Sequence, residues 1–187
     1  MNKKLLTLAI GCLVAFFACQ KQDGEKAALK EAIKKIEEMT AEAKREVLDS
    51  VNPAIARLDS ARKGAEAAIK EFEETPNKAI LNEANQSAAL EQAINEAKAT
   101  KERLESLEEL IANQEGIEVF QEFLQEAKEE GANQEEVAAL QKAFQEGRVA
   151  IQAAFQEGVA KLQTAINAAE EQAKALEEAR RKAGGAA

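Results

Sequence analysis

Between residues 25 and 182 the sequence offers only two strong signals for a helix to stop and turn. Thr75-Pro76 reads as an N-cap followed by proline at the first helical position, where its missing N–H is not needed. Gly131-Ala132-Asn133 reads as a C-terminal glycine followed by a second N-cap. Glu136, three residues after Asn133, completes a capping-box pattern. Two turns cut the chain into segments 25–74, 76–130 and 134–182. Each has about 50 residues and is roughly 75 Å long at about 1.5 Å per residue. Short connections make consecutive helices antiparallel neighbours. The expected fold is all-α: an elongated antiparallel up-down-up bundle of long helices forming a single domain over 25–182, with a flexible tail at 183–187.

Composition supports long helices and removes much chemistry. The 187 residues include 40 Ala and 31 Glu but only 9 Gly and 2 Pro. There is no His, which rules out Ser-His-Asp and Cys-His nucleophiles, His-Cys zinc fingers and Glu-x-x-His di-iron sites. Two Cys are too few for a Cys-rich metal site or a disulfide framework. Adjacent carboxylates such as Glu37/Glu38, Glu73/Glu74, Glu108/Glu109 and Glu170/Glu171 point about 100° apart on a helix, so they solvate a face and do not converge as ligands. No catalytic residue, metal, cofactor or small-molecule substrate is expected. The net charge of −9 argues against nucleic acid. The basic run Arg180-Arg181-Lys182 suits a helix C-terminus.

The hydrophobic period differs between segments. In the first, Ile36, Val47, Leu58 and Ile69 lie 11 residues apart, beside an alanine column at 32, 43, 54 and 65. Both columns pass Asn52-Pro53 in phase, so Pro53 is expected to kink one helix without ending it. The third segment repeats openly as ANQEEVAALQK, AFQEGRVAIQA and AFQEGVAKLQT from Ala132 to Thr164. One arc of its helical wheel gathers Leu140, Ile151 and Leu162 with Phe144, Phe155, Gly147 and Gly158, while six Gln face away. The middle segment has a heptad seam at Leu90, Ala97, Leu104 and Ile111; its phase slips at 113–116, placing a break near Gly116. Phe72, Phe120, Phe123, Phe144 and Phe155 are expected as core anchors, and Gly147 and Gly158 as packing contacts that admit a neighbouring helix. The hairpin register sets Gly147 level with Gly116 and so favours the closer approach there.

Residues 1–19, MNKKLLTLAIGCLVAFFAC, have a different character. Lys3 and Lys4 precede a 14-residue apolar run, Leu5 to Ala18, which suits a signal-peptide core and is too short to span a bilayer. Phe16-Phe17-Ala18-Cys19 resembles the lipobox of bacterial lipoproteins, with Ala18 as the small residue before the cysteine. Phe16 disfavours ordinary cleavage after Ala18. The resemblance implies a signal peptide over 1–18, acylation of Cys19, and a short polar tether over 19–24. Cys12 would be discarded with the signal, and the net charge would become about −11 without Lys3 and Lys4. More than one acyl chain gives stable attachment. Gln20, in place of the Asp that retains enteric lipoproteins in the inner membrane, points to the outer membrane.

These readings converge on a non-catalytic, lipid-anchored envelope lipoprotein that presents a helical rod to a protein partner, on the surface or in the periplasm. A spacer lipoprotein and a periplasmic carrier of lipid or hydrophobic clients are the alternatives. An 11-residue period is also similar to that of exchangeable apolipoproteins. Here, however, the polar face is Gln and Glu and the apolar face carries Ala and Gly, a pattern suited to helix–helix packing. Exposed Phe144 and Phe155 would favour the carrier.

Overall fold

Proline, glycine and an asparagine cap set the ends of the helices. A computed structural model describes residues 25–112, 114–129 and 131–184, which form helices α1 (Glu25–Glu74), α2 (Pro76–Ala112), α3 (Gln114–Glu129) and α4 (Gln134–Gly184). The described residues contain no strand, and the long helices pack on one another as an all-α bundle.

Helix α1 continues through Pro53. The proline lies on the exposed side, where water can satisfy the carbonyl that its ring leaves without a donor. Thr75 alone separates α1 from α2, its N–H donating to the Glu71 carbonyl at 2.8 Å. The second turn closes with two carbonyls satisfied: Ala132 N–H donates to Ala127 O at 2.9 Å and Gly131 N–H to Lys128 O at 3.2 Å. Gly131 has φ 101°, a backbone conformation in which a side chain would be strained. The capping box is reciprocal, with Glu136 N–H on Asn133 Oδ1 and Asn133 N–H on Glu136 Oε2, both at 3.0 Å.

The middle segment is described as α2 to Ala112 and α3 from Gln114, with residue 113 outside the described residues; Gly116, near which a break was expected, lies within α3. A glycine inside a helix costs only about 1 kcal/mol against alanine, which packing elsewhere on α3 can offset. At the other end, α4 carries on through Ala183 and Gly184, residues expected in the tail. Ala183 favours helix, and Arg181 and Lys182 in the last turn complement its dipole.

The described chain gathers into two compact units. One contains residues through Glu46 together with Ser106–Phe155; the other contains Val47–Glu105 and the residues from Gln156 onward. In the first, Ala32 and Ile36 of α1, Phe120 and Leu124 of α3, and Val137 and Leu140 of α4 share one core, with Leu29, Ile33, Ala143 and Phe144 packed against it. The 11-residue spacing holds here: Ala32 and Ala43 are buried, as is Leu140, with Ile151 half-buried.

The second unit keeps a seven-residue period on all three helices. Val51, Leu58, Ala65 and Phe72 are buried on α1, Leu90, Ala97 and Leu104 on α2, and Leu162, Ala169 and Leu176 on α4. The two 11-residue columns of α1 are buried at seven of their eight positions, Ala65 included; Ile69 alone is half-buried, and Ala68 and Phe72 take the core positions beside it. Within this unit α1 and α2 are antiparallel, as Arg57 with Glu96 and Gly64 with Gln86 show. The pairs Lys98–Glu170 and Arg180–Glu83 make α2 and α4 antiparallel as well.

Candidate functional site

The two glycines expected as packing contacts, Gly147 and Gly158, are both buried on α4. A Cβ on Gly158 would lie 3.0 Å from Val47 Cγ1 and 3.2 Å from Val51 Cγ2. A Cβ on Gly147 would lie 2.8 Å from Thr40 Oγ1 and 3.4 Å from Ile36 Cγ2. These contacts run to α1; the surroundings of Gly116, matched to Gly147 by the hairpin register, lie outside the described residues. Thr40 itself donates its hydroxyl to the Ile36 carbonyl at 2.7 Å, so it satisfies its own polar atom beside the glycine.

Phe155 is 1% exposed and Phe144 is half-buried, its ring stacked on Phe120 at 3.8 Å between centroids with 7° between planes. The exposure of both rings that would favour a hydrophobic-client carrier is therefore missing. Phe72 and Phe120 are also buried, whereas the side chain of Phe123 lies outside the described residues.

Among the described residues, one charged side chain is buried in the core. Glu83 is 1% exposed, and its Oε1 lies 3.3 Å from Nε of Arg180 on α4 without hydrogen-bond geometry. Arg180 was expected to serve the helix C-terminus; Arg181 and Lys182 occupy the last turn instead. Glu83 sits seven residues before Leu90 and continues that buried heptad column as a polar member, whereas Arg180 is exposed. An ion pair with one member in water is weak as a source of stability. Arg180→Ala leaves the Glu83 carboxylate without its cation and should cost about 1–2 kcal/mol, the low end for a stranded buried group because Arg180 is itself open to water. Glu83→Leu added to Arg180→Ala should return most of that loss in urea unfolding.

The remaining ion pairs are on the surface. Arg57 of α1 donates to Glu96 of α2, and Gln92 Nε2 donates to Glu96 Oε1 at 3.1 Å. The Arg57 hydrogen bond, followed by that from Gln92, holds the Glu96 carboxyl below its ordinary value of 4.5. Stability from a depressed carboxyl is complete above the ordinary value and is lost as pH falls through the folded-state value. The difference in melting temperature between wild type and Glu96→Gln, measured at neutral pH, should therefore shrink as pH is lowered below 4.5. Glu96 also borders a shallow open groove of about 560 Å³ along α2, lined by Ala88, Glu91, Gln92, Asn95, Glu96 and Ala99. Its wall is a single helix face with one carboxylate already engaged by Arg57, an arrangement without a convergent set of catalytic groups.

The outward side of α4 is different. Gln134, Gln141, Gln145, Gln152, Gln156 and Gln163 are all exposed, and Val149 between them is 56% exposed, more than Leu48 of α1 at 39%. The sequence showed the glutamine edge; it did not show that a valine stands in it, because residue 149 follows Arg148 at the margin of the apolar arc. Cys19, with the signal segment 1–18 and the tether 19–24, lies outside the described residues. Among the described residues no group of His, Cys, Asp or Glu is placed to hold a metal ion, and no helix is long and apolar enough to cross a membrane.

Comparisons with protein families, curated proteins and solved structures found no match to the chain.

Proposed function

We propose that the protein is a non-catalytic envelope lipoprotein: acyl chains on Cys19 hold it to the membrane, and its helical bundle presents a polar helix surface to a protein partner. The observation that carries this reading is the 14-residue apolar run ending in Phe16-Phe17-Ala18-Cys19, followed after a short polar stretch by a helix that begins at Glu25. The outer membrane is the proposed location, from Gln20 at the second position of the processed chain. The packed state of Phe155 and the stacked state of Phe144 support a surface-presenting bundle over a carrier, whose cargo needs open apolar area.

Acyl labelling in cells tests the proposal. Cys19→Ala should leave a larger, unlabelled precursor, while Cys12→Ala should be processed and labelled like wild type. Label that survives Cys19→Ala and disappears with Cys12→Ala would place the anchor on the other cysteine. Label absent from the wild type would overturn the anchored reading.

A further inference from the structure

Where helices touch fixes the level at which each begins. Ile36 and Thr40 of α1 face Gly147 of α4, and Ala32 and Ile36 share a core with Val137 and Leu140, so α1 and α4 run in the same direction through the first unit. Gln134 precedes Gly147 by 13 residues, and Glu25 precedes residue 38, midway between Ile36 and Thr40, by 13 as well. At equal rise per residue the two helices begin level. Phe120 and Phe144 stack 11 residues before Gly131 and 13 after it, so α3 runs the other way and ends at that same level. One end of this unit therefore gathers the start of α1, the end of α3, the Gly131 turn and the start of α4.

We propose that the first unit stands end-on at the bilayer, with this end towards the lipid headgroups. The inference rests on acylation of Cys19. Residues 19–24 separate the anchor from α1, and six residues span at most about 20 Å even when fully extended. The start of α1, and with it the Gly131 turn, therefore stays near the headgroups. The sides of the unit offer lipid no second hold. A helix lying on a bilayer needs a continuous apolar face and favours Lys and Arg opposite it. Among the described residues of this unit the one large apolar side chain left open is Val149, and the net charge of −9 gives the chain no attraction to anionic headgroups. The unit is thus tied to lipid at one end, and α4 carries Gln152 about 27 Å beyond Gln134 at about 1.5 Å per residue. A protein partner meets the flanks of the unit beyond that end.

Fluorescence quenching of the acylated protein tests it, in vesicles of phosphatidylethanolamine and phosphatidylglycerol that carry a nitroxide on some headgroups. Acylation blocks Cys19 and processing removes Cys12, so an introduced cysteine is the free thiol that takes the fluorophore. Gln134 and Gln152 are both exposed, and circular dichroism of Gln134→Cys and Gln152→Cys should match wild type. The fluorophore at 134 should be quenched about fivefold more than the one at 152, which lies about 27 Å farther along α4. Inserting about 20 Gly and Ser residues after Asp23 adds a root-mean-square reach of about 25 Å and should remove most of that difference. Equal quenching at both positions without the insertion would mean that the unit lies flat, and stronger quenching at 152 that it is inverted; either overturns the proposal. Quenching at 134 that persists in full after the insertion would mean that this end holds lipid by itself, which overturns the short tether as the cause. A protein that lacks acyl label and fails to float with the vesicles overturns the anchored reading and this placement with it. A labelled, floating protein with equal quenching overturns this placement alone.

Discussion

Phe155→Ala is expected to lower the unfolding free energy by about 3–5 kcal/mol, measured by urea denaturation. Phe155 is the largest of the fully buried side chains among the described residues, at 1% exposure, and nine of the 25 buried hydrophobic residues described are alanines. An alanine seam lets helices approach closely but buries little apolar area per residue, so the stabilisation is concentrated in a few large side chains. Removing the ring takes away its transfer free energy and leaves a cavity that long helices, constrained along their length, cannot close. Phe155→Leu keeps much of the volume and should cost less than about 1.5 kcal/mol. Phe144→Ala should fall between, because that ring is half-buried and loses its stack on Phe120, worth about 0.5–1.5 kcal/mol beyond area. A Phe155→Ala protein as stable as wild type would mean that this face of α4 is not packed, and the carrier reading would then return.

Gly158→Leu should cost about 1–3 kcal/mol, and more than Gly147→Leu. Propensity works the other way: an exposed helical glycine replaced by alanine gains about 0.8–1.0 kcal/mol. The sign of the measured effect therefore separates a packed glycine from an accidental one. At Gly158 even the first added carbon meets two valine methyls at 3.0 and 3.2 Å. Val47 and Val51 are themselves buried, at 3% and 0%, and β-branched side chains have little rotamer freedom in a helix. At Gly147 the nearest atom is the Thr40 hydroxyl, 2.8 Å away, which can rotate aside by giving up its bond to the Ile36 carbonyl. The atoms thus reverse the order suggested by the hairpin register, which set Gly147 level with Gly116 and made it the tighter site. A gain of stability in both leucine variants would show that neither glycine admits a neighbour.

Much of the fold was legible because its signals are local. Pro76, Gly131 and the Asn133–Glu136 box act through their own backbone neighbourhood, and the helix ends they mark are where the sequence puts them. The buried faces of α1 and α4 follow from apolar spacing, which is a property of one helix at a time. What was missed depends on partners. That Ala68 and Phe72, and not Ile69, face the core near the end of α1 depends on the helices packed against it. Glu83 reads as one more surface glutamate among 31. Its place in the column 83, 90, 97 and 104 is visible once the heptad is extended backwards, and that extension would have found it. Arg180 was misread for the same reason: helix-end electrostatics is a local argument, whereas its contact is with α2. Val149 escaped because a valine beside an apolar arc is ordinarily counted as part of it.

The central claim is that Cys19 becomes the acylated first residue of the protein in its membrane. Mass spectrometry of the N-terminal tryptic peptide from membrane-extracted protein tests it most directly. Trypsin cuts after Lys21, so the account predicts the peptide Cys19-Gln20-Lys21 with a diacylglyceryl group on sulfur and, where the amine is also modified, a further acyl chain. An N-terminal peptide that retains Met1, or one that begins after Cys19 or at an unmodified residue, would contradict it.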